Sequence, residues 1–253
     1  MCGRFVITSA PAALRQIFGY VDQPNFPPRH NIAPTQPIPV VMVENGARRF
    51  RLMRWGLLPG WVKDPRNFSL LINARAETVC EKPAFKNAFR RRRCLVPADG
   101  YYEWRVTQHR KRPCFISRRD GAPVGLAALS ETWIGPNGEE LDTVAIVTAP
   151  ARGELAPLHD RVPVTIAADD FDRWLDCADE DPETAMTLLH APHEGEFVWH
   201  EVSTRVNRVA NDDPQLILPI TPEESAAEQP QRLKKLMQRK QNAAPDEGQG
   251  SLF

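Results

Sequence analysis

The chain has 253 residues, 42% of them apolar and 25% charged, which is enough for one sizeable core. It has no apolar run of about 18 residues, and its first twenty residues lack a secretory stretch, so neither a membrane span nor export is expected. Five cysteines (Cys2, Cys80, Cys94, Cys114, Cys177) form no paired framework and 24 prolines argue against long helices, so a reducing cytoplasm and a body of short strands fit best.

Residues 11–19 read as a short helix, with Ser9 as its cap, Pro11 in the first turn and Gly19 past the end. The prolines between 22 and 39 predict an extended, loop-like segment. Strands are expected over 38–43 and 50–55, flanking the turn signal Glu44-Asn45-Gly46. A basic helix follows at 84–93, then strands at 94–96, 100–106, 114–117, 125–129 and 143–148. Asp120-Gly121 and the stretch 135–138 supply turns. Two short helices are predicted at 168–176 and 182–189, and a late strand at 196–202. From Pro222 the composition turns to Glu, Gln, Lys, Arg, Ala and Pro, which predicts a disordered tail over 222–253. The body, residues 1–221, reads as one mixed α+β domain.

The formal net charge is zero, but it is unevenly spread. Between Ala47 and Arg119 stand 19 Lys/Arg and 5 Asp/Glu. Gathered on one face, that excess would suit a polyanion; dispersed, it is a solvated surface. Aromatics interleave with it, among them Trp55, Trp61, Phe68, Tyr102 and Trp104. Cations tracking phosphates and rings stacking on bases are the usual means of holding single-stranded nucleic acid, although most of these rings should be core.

The common catalytic signatures are missing: no phosphate loop, no G-x-S-x-G elbow and no H-E-x-x-H. His190 and His193 have no cysteine or carboxylate pattern nearby, so no metal and no cofactor is expected. The chemistry resides at the start. A small residue after Met1 permits removal of that methionine, leaving Cys2 with a free α-amine and a thiol. These titrate near about 8 and about 8.5, so both nucleophiles are partly available at neutral pH. Such an aminothiol forms a Schiff base with an aldehyde and then closes a thiazolidine ring. The competing reading of Cys2 is a small apolar core residue. Glu103 lies in an aromatic, strand-like run where an unpaired carboxylate is costly to bury, which makes it an acid/base candidate.

Six motifs stand in order: Met1-Cys2-Gly3-Arg4-Phe5, Asn31-Ile32-Ala33-Pro34-Thr35, the stretch from Trp55 to Trp61, Ile72 to Thr78, Arg93 to Trp104, and Leu158 to Pro163. Together, from Cys2 to about Pro219, they closely resemble the SRAP (SOS-response-associated peptidase) family. The resemblance implies curved antiparallel sheets, a barrel-like core and short flanking helices. It implies a DNA-damage protein that traps the aldehyde of an abasic site in single-stranded DNA as a thiazolidine on Cys2. Asn73 would hold the reacting terminus, Glu103 assist the imine, and His159 shuttle protons at the sugar. Read alone, Asn73 is a turn or cap residue, and His159 a surface histidine bonded to Asp160.

Arg4, Arg75 and Arg161 match family positions that bind phosphates, although Arg75 could instead pair with Glu77. Trp61 matches an aromatic that interrupts base stacking, and Trp104, Pro34 and Thr148 match neighbours of the DNA path. The segment from Val62 to Phe68 departs from relatives that carry a second aromatic and a shorter loop. A monomer, cytoplasmic and nucleoid-associated, is expected. The alternative is an N-terminal-nucleophile peptidase or amidohydrolase; a non-catalytic single-strand binding module is a third reading. The last residues resemble a sliding-clamp-binding motif, with Gln249 followed by Leu252 and Phe253.

Overall fold

In the computed structural model, which describes residues 2–107, 110–179 and 181–228, short strands dominate. They are β1 (Phe5–Ile7), β2 (Arg29–Ile32), β3 (Pro37–Glu44), β4 (Ala47–Trp55), β5 (Asn73–Arg75), β6 (Arg93–Ala98), β7 (Gly100–Val106), β8 (Lys111–Arg118), β9 (Val124–Ile134), β10 (Glu140–Pro150), β11 (Arg161–Pro163), β12 (Thr165–Ile166) and β13 (Phe197–Glu201). The helices are α1 (Pro11–Phe18), α2 (Lys86–Arg91), α3 (Phe171–Leu175), α4 (Pro182–Met186) and α5 (Pro222–Ala227).

The core begins at the Asn45-Gly46 turn. Both residues have positive φ, 51° and 74°, the geometry a two-residue hairpin loop needs. That turn sets the β3–β4 register from Glu44↔Ala47 to Pro37↔Arg54. β3 then pairs β6, β6 pairs β9, β9 pairs β10, and β10 returns to β4 as a parallel neighbour. The five strands therefore close a barrel, which removes its open edges. Val40, Leu95, Ala127, Ala145 and Val147 are among its fully buried residues. A second sheet, in the order β13-β8-β7-β1-β2, packs beside it. Gly100 opens β7 where a Cβ would stand 2.6 Å from the Ile116 carbonyl, so only glycine lets β8 approach so closely.

α1 ends as expected, with Gly19 left-handed at φ 69° and its N–H donating to Arg15 O. Its cap does not form: Ser9 instead donates to the Asp99 carboxylate, which also accepts from the Thr8 and Ser9 amides at 2.5 and 2.8 Å. Strands β2 and β5 occupy stretches read as loop and turn. Part of the expected tail is ordered, and residues 229–253 of it lie outside the described residues. α5 occupies its first residues, Ser225 O accepts from Arg110 at 3.2 Å, and Glu228 accepts from the Thr204 amide at 2.8 Å.

Candidate active site

Cys2 lies just before β1, fully buried in the main apolar cluster with Phe5, Trp55, Ala74 and Tyr101. Asn73 reaches it from β5. Trp55 Nε1 and the Ile146 amide both donate to Ile72 O, at 3.0 and 3.1 Å, and this holds β5 parallel to β10. From there Asn73 Nδ2 donates to the Cys2 carbonyl at 2.9 Å. Its Oδ1 is buried with no hydrogen-bond partner among the described residues. The Asn73 amide therefore grips the chain start and keeps an acceptor in reserve.

Glu103 projects from β7 and is 3% exposed. Burial pushes its carboxyl above the usual range, while nearby positive charge, His159 included, works the other way. The Cys2 thiol is pushed far up, first by burial and then by the charge of Glu103. The charge of the acid thus acts on the nucleophile where both are buried. Tyr101, two residues before Glu103 and on the same strand face, is buried there too, its hydroxyl without a partner among the described residues. Sequence reasoning missed it, because a tyrosine in an aromatic run reads as core.

His159 Nδ1 stands 3.0 Å from the Arg161 amide and 2.5 Å from Asp160 Oδ1. With Nδ1 unprotonated the amide donates to it; with Nδ1 protonated the ring donates to Asp160. The contact with Asp160 expected of a surface histidine is present, and it does not exclude the shuttle reading. The segment before β11, β5, β7 and the chain start each bring one of the four expected residues to this place.

The expected phosphate ligands divide. Arg4 is half-buried, donates to Asn31 Oδ1 and Val206 O at 2.7 and 2.8 Å, and lies 5.7 Å from the Trp104 ring centroid. None of these partners is an anion. Asn31, fully buried at the start of the second motif, fixes Arg4 while its Nδ2 faces the carbonyls of Val206, Arg208 and Asn211. Arg75 is exposed, its side chain makes no hydrogen bond or ion pair among the described residues, and its charge acts on Glu77 from a distance. Arg161 differs. It donates to both Glu77 oxygens at 2.8 Å and to Thr148 Oγ1 at 3.1 Å, with 10% of its side chain exposed. The pairing considered for Arg75 and Glu77 is made by Arg161 instead, and its donors are turned inward here.

Thr148 is fully buried as part of that arrangement. Pro34 is half-buried, and Trp104 donates to Asn207 Oδ1 at 2.7 Å. Trp61 is 60% exposed. Trp55, Phe85, Phe89, Tyr101 and Tyr102 are core. Much of the cationic excess is neutralised by acids from outside its stretch: Arg48 pairs with Asp172, Arg51 with Glu44, Arg92 with Glu131, and Arg105 and Arg112 with Glu201. Gln249, Leu252 and Phe253 lie outside the described residues. Among the described residues, no group of acids, cysteines and histidines could hold a metal ion, and no helix is long and apolar enough to cross a membrane.

Comparison with known proteins bears on this site. The model of the family described as SOS response associated peptidase (SRAP) matches residues 1–209. The chain is 34% identical over 221 residues to "Abasic site processing protein YoqW" of Bacillus subtilis, covering 86% of this chain and 99% of that protein. It is 32% identical over 193 residues to "Abasic site processing protein YedK" of Escherichia coli, covering 76% and 85%. Among solved structures, a Bacteroides thetaiotaomicron protein superposes with a TM-score of 0.79 at 21% identity, over 87% of this chain and all of that one. A match spanning the barrel, the second sheet and every residue of the Cys2 pocket leaves one conclusion: the chain belongs to the SRAP family.

Proposed function

We propose that this protein captures abasic sites in single-stranded DNA as a covalent adduct on Cys2. The names of its relatives support abasic sites as the target. The observation that carries the chemistry is the Asn73 grip on the Cys2 carbonyl, beside the buried Glu103 carboxyl. Once Met1 is removed, the α-amine of Cys2 attacks C1′ of the ring-opened sugar to give a carbinolamine. Loss of water then needs a proton donor, and a carboxyl raised by burial remains an acid nearer neutral pH. The thiol adds across the resulting C=N bond, its proton passing to nitrogen, and the thiazolidine closes; one water leaves in all. A thiol pushed up by burial is a poor anion but adds readily to an adjacent iminium. His159 moves protons at the sugar oxygens. Arg4 and Arg75 hold phosphates, with Trp61 and Trp104 beside the strand and Pro34 near its path.

An amide hydrolase built on Cys2 would need donors for an oxyanion. The Asn73 amide is already engaged by the carbonyl of Cys2 itself, which gives that reading no support. Beyond the domain, Gln249, Leu252 and Phe253 would dock a bacterial sliding clamp; a Leu252→Ala/Phe253→Ala version of the last dozen residues should then bind clamp measurably less than the native peptide.

The deciding variant is Cys2→Ser, which keeps the amine and removes the thiol. It should give an imine that borohydride traps and that dissociates without reductant. A stable Cys2→Ser adduct without reductant would exclude the thiazolidine.

A further inference from the structure

The chain has three tyrosines, and two of them follow the ordinary rule that a buried phenol finds a partner. Tyr20 donates to Pro11 O at 3.0 Å and Tyr102 to His30 O at 2.8 Å. Tyr101 is buried like them, yet its hydroxyl meets no hydrogen-bond partner among the described residues. An unsatisfied buried hydroxyl costs stability, and phenylalanine would fill the same volume without that cost.

Strand pairing places this ring beside the reacting end of the chain. β1 runs antiparallel to β7 with Phe5 opposite Tyr101, and the Tyr102 amide donates to Arg4 O at 2.9 Å, so the chain start is laid along β7. Tyr102 turns to the opposite face, into a separate cluster with Val6 and Phe115. Tyr101 instead shares the apolar cluster of Cys2, and it shares its strand face with Glu103. Phe197 of β13 meets its ring edge-on with centroids 6.4 Å apart, which fixes the phenol. Burial, and then the charges of Cys2 and Glu103, hold the phenol well above its ordinary range. It therefore stays neutral and keeps both a donor and an acceptor.

Ring closure on Cys2 needs such a group. As the S–C bond forms, the thiol proton must leave sulfur, and the C=N π pair becomes a lone pair that takes a proton on nitrogen. Direct transfer would pass through a strained ring of S, C, N and H alone, whereas a hydroxyl between the two atoms widens it. We propose that Tyr101 is the relay: its oxygen accepts the proton from the Cys2 sulfur while its own hydrogen passes to the nitrogen. The tyrosine ends as it began. Glu103, ionised when it gave its proton to the departing water, has recovered one from the iminium nitrogen before closure. While Met1 is attached, the Cys2 nitrogen is an amide with no lone pair to offer, so the hydroxyl gains its acceptor only once the amine is freed. The inference rests on the proposed thiazolidine and assigns Tyr101 a proton transfer within it.

The test is single-turnover capture of abasic single-stranded DNA by an excess of the full-length protein, with each time point split. Borohydride preserves imine and closed ring together; denaturant alone preserves only the ring. Tyr101→Phe should form the imine at the wild-type rate and close it on the order of 10²-fold more slowly or worse, so that a borohydride-dependent adduct accumulates. Its affinity for single strands carrying tetrahydrofuran, an abasic analogue with no aldehyde, should be unchanged. It should melt at or above the wild-type temperature, because it loses only an unpaired hydroxyl. Tyr102→Phe is the control: it loses the bond to His30 O, so it should melt lower yet close the ring at the wild-type rate. Closure at the wild-type rate in Tyr101→Phe overturns the relay, and so does equal slowing of imine formation and closure, the mark of a merely structural role. A wild-type protein that forms no adduct without reductant would instead strike the capture chemistry, and the relay with it.

Discussion

Arg161→Ala and Arg75→Ala should separate two arginines that family resemblance treats alike. Arg161 makes two hydrogen bonds to the Glu77 carboxylate and two to Thr148, with little of its side chain exposed. Removing one member of a fully buried pair costs about 3–5 kcal/mol. Glu77 is 44% exposed, however, so water recovers part of the loss, and about 2–3 kcal/mol is the expected cost. For a domain of this size each kcal/mol lowers Tm by about 2–4 °C, so Arg161→Ala should melt roughly 5–10 °C below wild type. Arg75→Ala touches no structural partner and should stay within about 0.5 kcal/mol of wild type. Its effect should appear in DNA binding. In anisotropy titrations on tetrahydrofuran-containing single strands, the log–log salt slope should fall by about 0.7 for Arg75→Ala. Calorimetry and salt titration of both variants decide the matter. An Arg161→Ala protein with wild-type Tm and the reduced slope would refute the reasoning, because Arg161 would then be a phosphate ligand.

The remaining expectations concern the pocket. Glu103→Gln should slow single-turnover crosslinking by on the order of 10²–10⁴-fold and abolish the loss of rate seen as pH rises through the raised Glu103 pKa. The pH trend for stability has the same sign, but the substitution acts in the opposite direction. A carboxyl whose folded pKa is raised favours folding below its unfolded pKa and forfeits that contribution as pH rises through the folded value. Glu103→Gln should therefore gain stability over wild type from mildly acidic to neutral pH, read by denaturant unfolding at several pH values. His159→Ala should slow crosslinking or its reversal at unchanged affinity for tetrahydrofuran DNA, measured by quench-flow and anisotropy. Asn31→Ala should remove the brace on Arg4 and weaken DNA binding severalfold while leaving Cys2 in place, read by the same anisotropy assay.

What could be read from the sequence followed strong local signals. The Asn45-Gly46 hairpin, the Gly19 stop of α1 and β7 depend on turn chemistry and alternation, and all three form where expected. β2 was hidden by the prolines around it, and β5 is three residues long, stabilised by β10 rather than by its own pattern. Ser9 resembled a cap only because the Asp99 carboxylate, ninety positions away, is invisible locally. The site divides in the same way. The aminothiol of Cys2 follows from one residue's position, and the cost of burying Glu103 follows from its neighbours. That Arg161, not Arg75, takes Glu77 depends on β11 folding back along β10, which brings together two residues 84 positions apart. The cationic excess misled for the same reason: the acids that pair with part of it come from distant segments.

The most direct measurement is intact and peptide mass spectrometry of the full-length protein after incubation with single-stranded DNA bearing a genuine abasic site. The expected product survives denaturation without reductant. Its mass is that of the Met1-less protein plus the DNA minus one water, and the modification maps to Cys2. No denaturation-resistant adduct, or one on a lysine that persists only after borohydride, would contradict capture by Cys2.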